Sequence, residues 1–239
     1  VSATAAGDAG LDLLAFGPHP DDLEIGMAGT IARQVAAGDR VGLCDLTAGE
    51  MGSNGTVDDR LREAQSAARV LGVRWRENLR WPDRTFGGKP EYVDAAVRFI
   101  RRHRPRAVAV PYWSDRHPDH VAASELLTEA VFNAGLRRYA AEGEAWKAAW
   151  ICYYFINDHV APSFVVDVSA SYELKQRSLE CHVTQFRPPA AGDTPTRLNT
   201  PLFRQLIESR DAQFGALAGV RWAEGFVVRE PVVRGGLTR

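Results

Sequence analysis

Two short stretches of this 239-residue chain concentrate the side chains that move protons and hold metal ions. They are Pro18-His19-Pro20-Asp21-Asp22 and Trp113-Ser114-Asp115-Arg116-His117-Pro118-Asp119-His120. Three of the chain's six histidines lie in them. Each stretch packs imidazole beside carboxylate within four residues, and each carries a proline that stiffens the turn. Imidazole and carboxylate together suit a borderline divalent cation such as Zn2+, and Fe2+ or Co2+ can share such ligands. A catalytic zinc usually takes about three protein ligands and leaves a corner for water. His19, Asp22 and one of His117 or His120 can supply them, leaving Asp21 and the other histidine free for proton transfer. A single His-Pro-Asp is equally an ordinary turn with an Asx-type cap. Two such clusters at one sheet edge favour a metal site.

The elements around the clusters place them at such an edge. Residues 11–17 (LDLLAFG) form a short apolar run ending at Gly and Pro, which predicts a buried strand. Residues 24–37 carry Ile25, Ala28, Ile31, Ala32 and Val35 at helical spacing, closed by Gly38. Further strands are predicted at 41–47, 75–79, 107–112, 151–156 and 164–168, with helices at 91–103, 118–134, 172–182 and 200–217. A Gly-rich loop at 48–55 precedes Thr56, a good N-cap with Asp58 and Asp59 in the first turn of a helix to about residue 72. Strands alternating with helices imply an α/β fold: a Rossmann-like, mostly parallel sheet with helices on both faces. In such sheets ligands bind outside the carboxyl ends of the strands. Both clusters directly follow predicted strands.

Composition narrows the function classes. Charged residues make up 25% and hydrophobic residues 45%, the balance of a folded globular chain. A net charge of −1 argues against a broad grip on nucleic acid. The basic run Arg98, Arg101, Arg102 and Arg104 reads as the solvated end of a helix. Three scattered cysteines, Cys44, Cys152 and Cys181, make no disulfide framework and read as small buried hydrophobes. Residues 1–10 read as a flexible tail, without the basic and apolar segments of a secretory leader, and 11–239 as one domain. No stretch is apolar enough to cross a bilayer, so the expected setting is cytoplasmic with no membrane partner.

The pattern His19-Pro20-Asp21-Asp22, then Gly-x-x-Gly-Thr at 26–30, then His117-Pro118-Asp119-His120 resembles the LmbE-like (PIG-L) zinc deacetylases. The resemblance covers nearly the whole chain after residue 11 and implies their LmbE-like fold. Asp45-Leu46-Thr47, Ser53-Asn54-Gly55-Thr56, residues 111–120 and Tyr153-Tyr154-Phe155-Ile156-Asn157 look most like the bacillithiol-biosynthesis branch. Those enzymes remove acetate from N-acetylglucosaminyl-L-malate. The resemblance implies His19, Asp22 and His120 as zinc ligands and Asp21 as general base. It makes His117 the group that steadies the tetrahedral intermediate or protonates the leaving amine. Asp119 would orient an imidazole, and Arg60 would contact substrate. It also implies a homo-oligomer, often a hexamer. Two departures stand out: Pro18 replaces a small residue with a free N–H, and Ala212-Gln213-Phe214-Gly215 lacks the tyrosine that relatives carry nearby.

An amide is a poor electrophile, and a bound divalent ion activates both the carbonyl and the attacking water. A planar guanidinium pairs well with a carboxylate, which makes Arg60 and Arg116 candidates for a malate group. Glu50, Ser53 and Asn54 on the Gly-rich loop can bond sugar hydroxyls, although an ordinary turn explains them too. Other acetylated amino sugars, such as a mycothiol-type precursor, chitobiose or an antibiotic intermediate, suit the same machinery. A nucleotide-binding module is a different reading, but Gly17-Pro18-His19-Pro20 is not the Gly-x-Gly-x-x-Gly fingerprint. A phosphoesterase would need more ligands, commonly for two metals.

Overall fold

The computed structural model describes residues 10–233. The tail expected over residues 1–10 falls almost wholly outside the described residues. The described residues form a seven-stranded sheet in the order β3-β2-β1-β4-β5-β7-β6. The strands are β1 (Leu13–Gly17), β2 (Val41–Thr47), β3 (Trp75–Trp81), β4 (Ala107–Pro111), β5 (Trp150–Tyr154), β6 (Phe164–Asp167) and β7 (Ala223–Val227). The first five are mutually parallel, with Ala15 opposite Leu43 on one side and Ala109 on the other. β7 runs antiparallel to both β5 and β6. Sequence reading missed β7, because Ala223-Glu224-Gly225-Phe226-Val227 carries a charge and a glycine inside a short run. Packing requires that glycine: a Cβ on Gly225 would lie 2.5 Å from the Phe214 ring.

Helices α1 (Asp22–Ala36), α2 (Val57–Val70), α3 (Pro90–His103), α4 (Pro118–Ala134), α5 (Tyr172–Glu180), α6 (Val183–Phe186) and α7 (Pro201–Ala218) cover the sheet. Strand alternation divides the core between two faces. Leu14, Phe16, Val108 and Val110 pack with Val97 and Ile100 of α3 and Leu126 and Leu127 of α4. Leu13, Ala15, Leu43 and Ala109 pack with Ile25 and Ile31 of α1 and Phe203 and Ile207 of α7. Burying apolar surface on both faces gives about 25 cal/mol per Å2 and explains why the parallel strands read as continuous apolar runs.

Thr56 caps α2 as expected: its hydroxyl accepts from Asp59 N (3.1 Å), and the Asp59 carboxylate accepts from Thr56 N (3.0 Å). The solvated reading of the basic end of α3 fails at Arg101, which is 4% exposed. Its guanidinium donates to the carbonyls of Ala134, Leu136, Ala141 and Gly143, closing the segment after α4. Charge pattern alone cannot distinguish a cation in water from one that satisfies buried carbonyls. Cys44 and Cys152 are buried, and Cys181 is partly so. Among the described residues, no helix is long and apolar enough to cross a membrane.

Candidate active site

The chain leaves β1 toward β2 and β3 on one side and returns to β4 on the other, so the sheet reverses its order at the β1–β4 boundary. Crevices at such switch points are where open α/β sheets bind ligands. The loop after β1 carries His19 and Asp21, with Asp22 opening α1; the loop after β4 carries Asp115 and His117, with Asp119 and His120 in the first turn of α4. Separated by about a hundred residues in sequence, the two clusters meet in space. Ring centroids lie 4.9 Å apart for His19–His117, 5.6 Å for His19–His120 and 4.7 Å for His117–His120.

One ligand atom from each of His19, His117 and His120 lies within 4.8 Å of the others, and the same holds for His19, Asp83 and Asp119. Asp22 bridges two of the rings, with Oδ2 3.0 Å from His19 Nδ1 and Oδ1 3.3 Å from His120 Nε2. His19 Nε2 faces Asp83 at 3.2 Å and Asp119 at 3.3 Å. Burial opposes the imidazolium of His19, but hydrogen bonds to Asp119, Asp22 and Asp83 overcome it and hold its pKa well above the ordinary value. His120 is likewise raised, to about 9, because Asp22 and Asp115 outweigh burial. Burial would push Asp22 up, yet His120 and His19 hold it well below the usual carboxylate range. The donor set fits a divalent cation: carboxylate oxygens and imidazole nitrogens converge, and the protons held on His19 and His120 are those that a metal displaces.

His117 and His120 are set apart by their partners. His117 is the N-cap of α4, and its Nδ1 accepts from Asp119 N at 3.2 Å. Its neutral form therefore carries the proton on Nε2. Burial, then the charges of His120 and His19, push its pKa down toward that neutral form. His120 is the reverse case. Its Nδ1 faces the Asp115 carboxylate at 3.0 Å and Nε2 faces Asp22, so Nδ1 keeps its proton in the neutral form and Nε2 is the atom whose proton a metal would displace. Asn157 supports this arrangement, donating from Nδ2 to Asp115 Oδ1 at 3.0 Å.

Asp21 is 3% exposed, and burial raises its carboxyl to about 6, against the pull of Arg60. Its backbone (φ 155°, ψ −21°) lies where L-residues rarely sit, a geometry that persists only when surroundings fix it. Arg60 supplies part of that fixing. It is 5% exposed, and its guanidinium donates to Asp21 Oδ2 (3.2 Å), Pro20 O (3.2 Å) and Gly49 O (3.1 Å). Gly49 has a positive φ of 65°, and a Cβ there would lie 2.0 Å from Arg60 Nη1. The glycine loop is thus moulded around this arginine.

The remaining predicted positions fall into two groups. Arg116 and Ser53 are exposed at the rim. Glu50 is also exposed, and its Oε1 accepts from Asp83 N at 2.6 Å. Asn54 is engaged by protein: it donates to Thr194 O and accepts from Thr194 N, both at 2.8 Å, fastening the glycine loop to the segment 187–199. That segment also reaches the other side of the site, where Arg197 donates to Asn157 Oδ1 at 3.4 Å. Asp119 touches His19 and pairs with Arg84. Sequence reading gave no role to Asp83, Arg84, Asp115 or Asn157. Asp115 lay within the second cluster, but Asp83 and Asn157 had no spacing signal, because only the sheet brings them in.

A family model described as "PIG-L: GlcNAc-PI de-N-acetylase" matches residues 14–131. The chain is 31% identical over 228 residues to a diacetylchitobiose deacetylase of Thermococcus kodakarensis, covering 89% of this chain and 81% of the relative. It is 27% identical to a 1D-myo-inositol 2-acetamido-2-deoxy-alpha-D-glucopyranoside deacetylase of Rhodococcus opacus, covering 89% and 94%. Among solved structures, the conserved protein TT1542 of Thermus thermophilus superposes with a TM-score of 0.87 at 39% identity, covering 96% and 99% of the two chains.

Proposed function

The chain belongs to the PIG-L, GlcNAc-PI de-N-acetylase family, and from that premise we propose a metal-dependent hydrolase that deacetylates an N-acetylglucosamine conjugate. The proposed substrate is N-acetylglucosaminyl-L-malate of bacillithiol biosynthesis, and the proposed ion is Zn2+. The opposed hydrogen bonding of His117 and His120 carries the reading. One imidazole, anchored through Nδ1 to Asp115, has Nε2 beside Asp22 to give to a metal, and the other presents an Nε2–H.

His19, Asp22 and His120 are the proposed ligands. A divalent ion held by them supplies carbonyl polarisation and a more acidic water. Asp21 accepts the proton of the attacking water, and Arg60 keeps that carboxylate ionised and aimed. His117 donates its Nε2–H to the carbonyl oxygen as negative charge develops there. The proton taken by Asp21 goes on to the departing amine, which leaves a free amino sugar and acetate. Asp119 braces His19 and the backbone of Arg84. At the rim, Arg116 is proposed for the malate carboxylates, with Ser53 and Glu50 for sugar hydroxyls. For Arg60 and Asn54 the contacts favour holding Asp21 and the segment 187–199, respectively, over touching substrate. Diacetylchitobiose is a second reading, supported by the 31% identity to the relative of that name.

The test combines metal analysis with acetate release from both substrates. Asp21→Asn should keep its metal and lose about 10²–10⁴ in turnover. His120→Gln should lose the metal itself. Undiminished turnover in Asp21→Asn would remove the proposed base, and faster release from diacetylchitobiose would favour the second reading.

A further inference from the structure

Helix α1, which begins with Asp22, is broken at Met27 (φ −150°, ψ 21°). A break strands backbone groups that must find other partners. Both sides of this one are satisfied from the far end of the chain. The Ile25 carbonyl accepts from Arg210 Nη2 at 2.7 Å. The N–H groups of Gly29 and Thr30 donate to the Glu224 carboxylate at 3.0 and 2.6 Å. Lys175 joins the two halves, with Nζ 2.7 Å from both Asp211 and Glu224, and Asp211 accepts from Arg210 Nε at 3.1 Å. The four side chains are at most 5% exposed, and their charges balance: Arg210 and Lys175 against Asp211 and Glu224.

Arg210 has a second set of contacts. Its Nη1 donates to the carbonyls of Phe155 and Ile156, each at 3.1 Å. The next residue is Asn157, which bonds Asp115, the partner of His120 Nδ1. One guanidinium therefore grips the turn of α1 that follows Asp21 and Asp22 and the segment just after β5 that supports His120.

We propose that Arg210 is a positioning residue for the metal centre: through the Ile25 carbonyl and the carbonyls before Asn157 it sets the separation of Asp22 and His120. The inference rests on the reading of those two residues as ligands. Lysine at this position keeps the charge of the cluster but has no fork with which to hold both segments.

The experiment measures Zn2+ affinity by chelator competition, together with melting of the metal-free protein, for wild type, Arg210→Lys and Arg101→Lys. Arg101 is the control: a buried arginine bonded to five carbonyls away from the site. Arg210→Lys should bind zinc about 10–100-fold more weakly, the usual loss when a ligand's support is removed. Arg101→Lys should melt earlier with unchanged zinc affinity. Equal affinity in Arg210→Lys and wild type, or an equal loss in Arg101→Lys, would overturn the proposal. Should Arg210→Lys fail to fold, Asn157→Ala cuts the same path at its accessible end. It should show the same weakening, and unaltered affinity there would also overturn the proposal. Wild type that binds no divalent ion would defeat the site reading itself. Wild type that binds zinc and releases acetate beside an unaffected Arg210→Lys would defeat this inference alone.

Discussion

Replacing Arg60 with methionine tests whether this arginine serves the base or the substrate. Asp21 is buried, and burial sets its carboxyl at about 6 even with the guanidinium 3.2 Å away. At an effective dielectric of about 20, a charge pair at that distance is worth about 5 kcal/mol, an upper bound. Hydrogen bonds to charged groups measured by mutation give about 1.5–3 kcal/mol, the safer figure. At about 1.4 kcal/mol per pH unit, losing it raises the Asp21 carboxyl by about one to two units. A bound divalent ion would lower the same carboxyl in wild type and variant alike, so the difference would survive loading. The group must be ionised to accept a proton, so the acid limb of kcat/KM moves to higher pH by that amount while the plateau is approached again in alkali. Methionine also takes the guanidinium donors from the Pro20 and Gly49 carbonyls, the second of which keeps the Gly52 N–H, and this loss lowers the melting temperature without moving the limb. The assay is acetate release from pH 5 to 9 on two N-acetylglucosamine conjugates, one with a carboxylate-bearing aglycone and one neutral. A positioning role predicts the same shift on both. An unmoved limb, or a rise in KM confined to the acidic conjugate, would refute the reasoning and return Arg60 to the substrate.

Two further outcomes follow from contacts outside the reacting groups. His103 packs between Trp75 and Phe99, and burial, then the charge of Arg102, depress its pKa to about 4. The unfolded chain takes up this proton first, so stability falls as pH drops from about 6.5 toward 4. The gap is worth about 3 kcal/mol, which partial exposure trims to about 2 kcal/mol. His103→Gln should flatten that part of the denaturant-derived stability curve, and an unchanged acid slope would exclude the assignment. Asn54→Ala removes both bonds to Thr194, about 1–2 kcal/mol, so limited proteolysis within 187–199 should quicken about 5–30-fold with zinc affinity unaltered; an unchanged cleavage rate would mean the segment is held elsewhere.

The α/β architecture was legible because strands buried on both faces read as apolar runs and helices carry their own caps. Thr56 and Pro118 mark their helices from sequence alone. What was illegible depends on distant pairing. β7 reads as a strand only when β5 and β6 flank it, and Glu224 has a use only because α1 breaks beside it. Arg101 looks like a helix-end cation until the loop after α4 wraps its head. The same holds at the site. His19, Asp21, Asp22, His117, Asp119 and His120 stood out by local density of ionisable groups. Asp83 sits in an unremarkable loop and joins His19 only through the fold.

The second cluster shows how far local geometry alone can separate two chemically identical side chains. His117 and His120 lie three positions apart at a helix start, on one face, with rings stacked at 4.7 Å. The N-cap position faces the free N–H groups of the first turn, so any acceptor there is drawn to them. His117 meets Asp119 N for that reason and is left with Nε2–H. Position 120 lies inside the helix, where its own N–H is satisfied by His117 O, and its ring reaches back past the cap to Asp115. A carboxylate, unlike an N–H, accepts, so the tautomer inverts. The proposed donor and the proposed ligand thus differ by their place at the helix start: the cap position draws His117 onto a backbone N–H, and the position three residues on carries His120 back to a carboxylate.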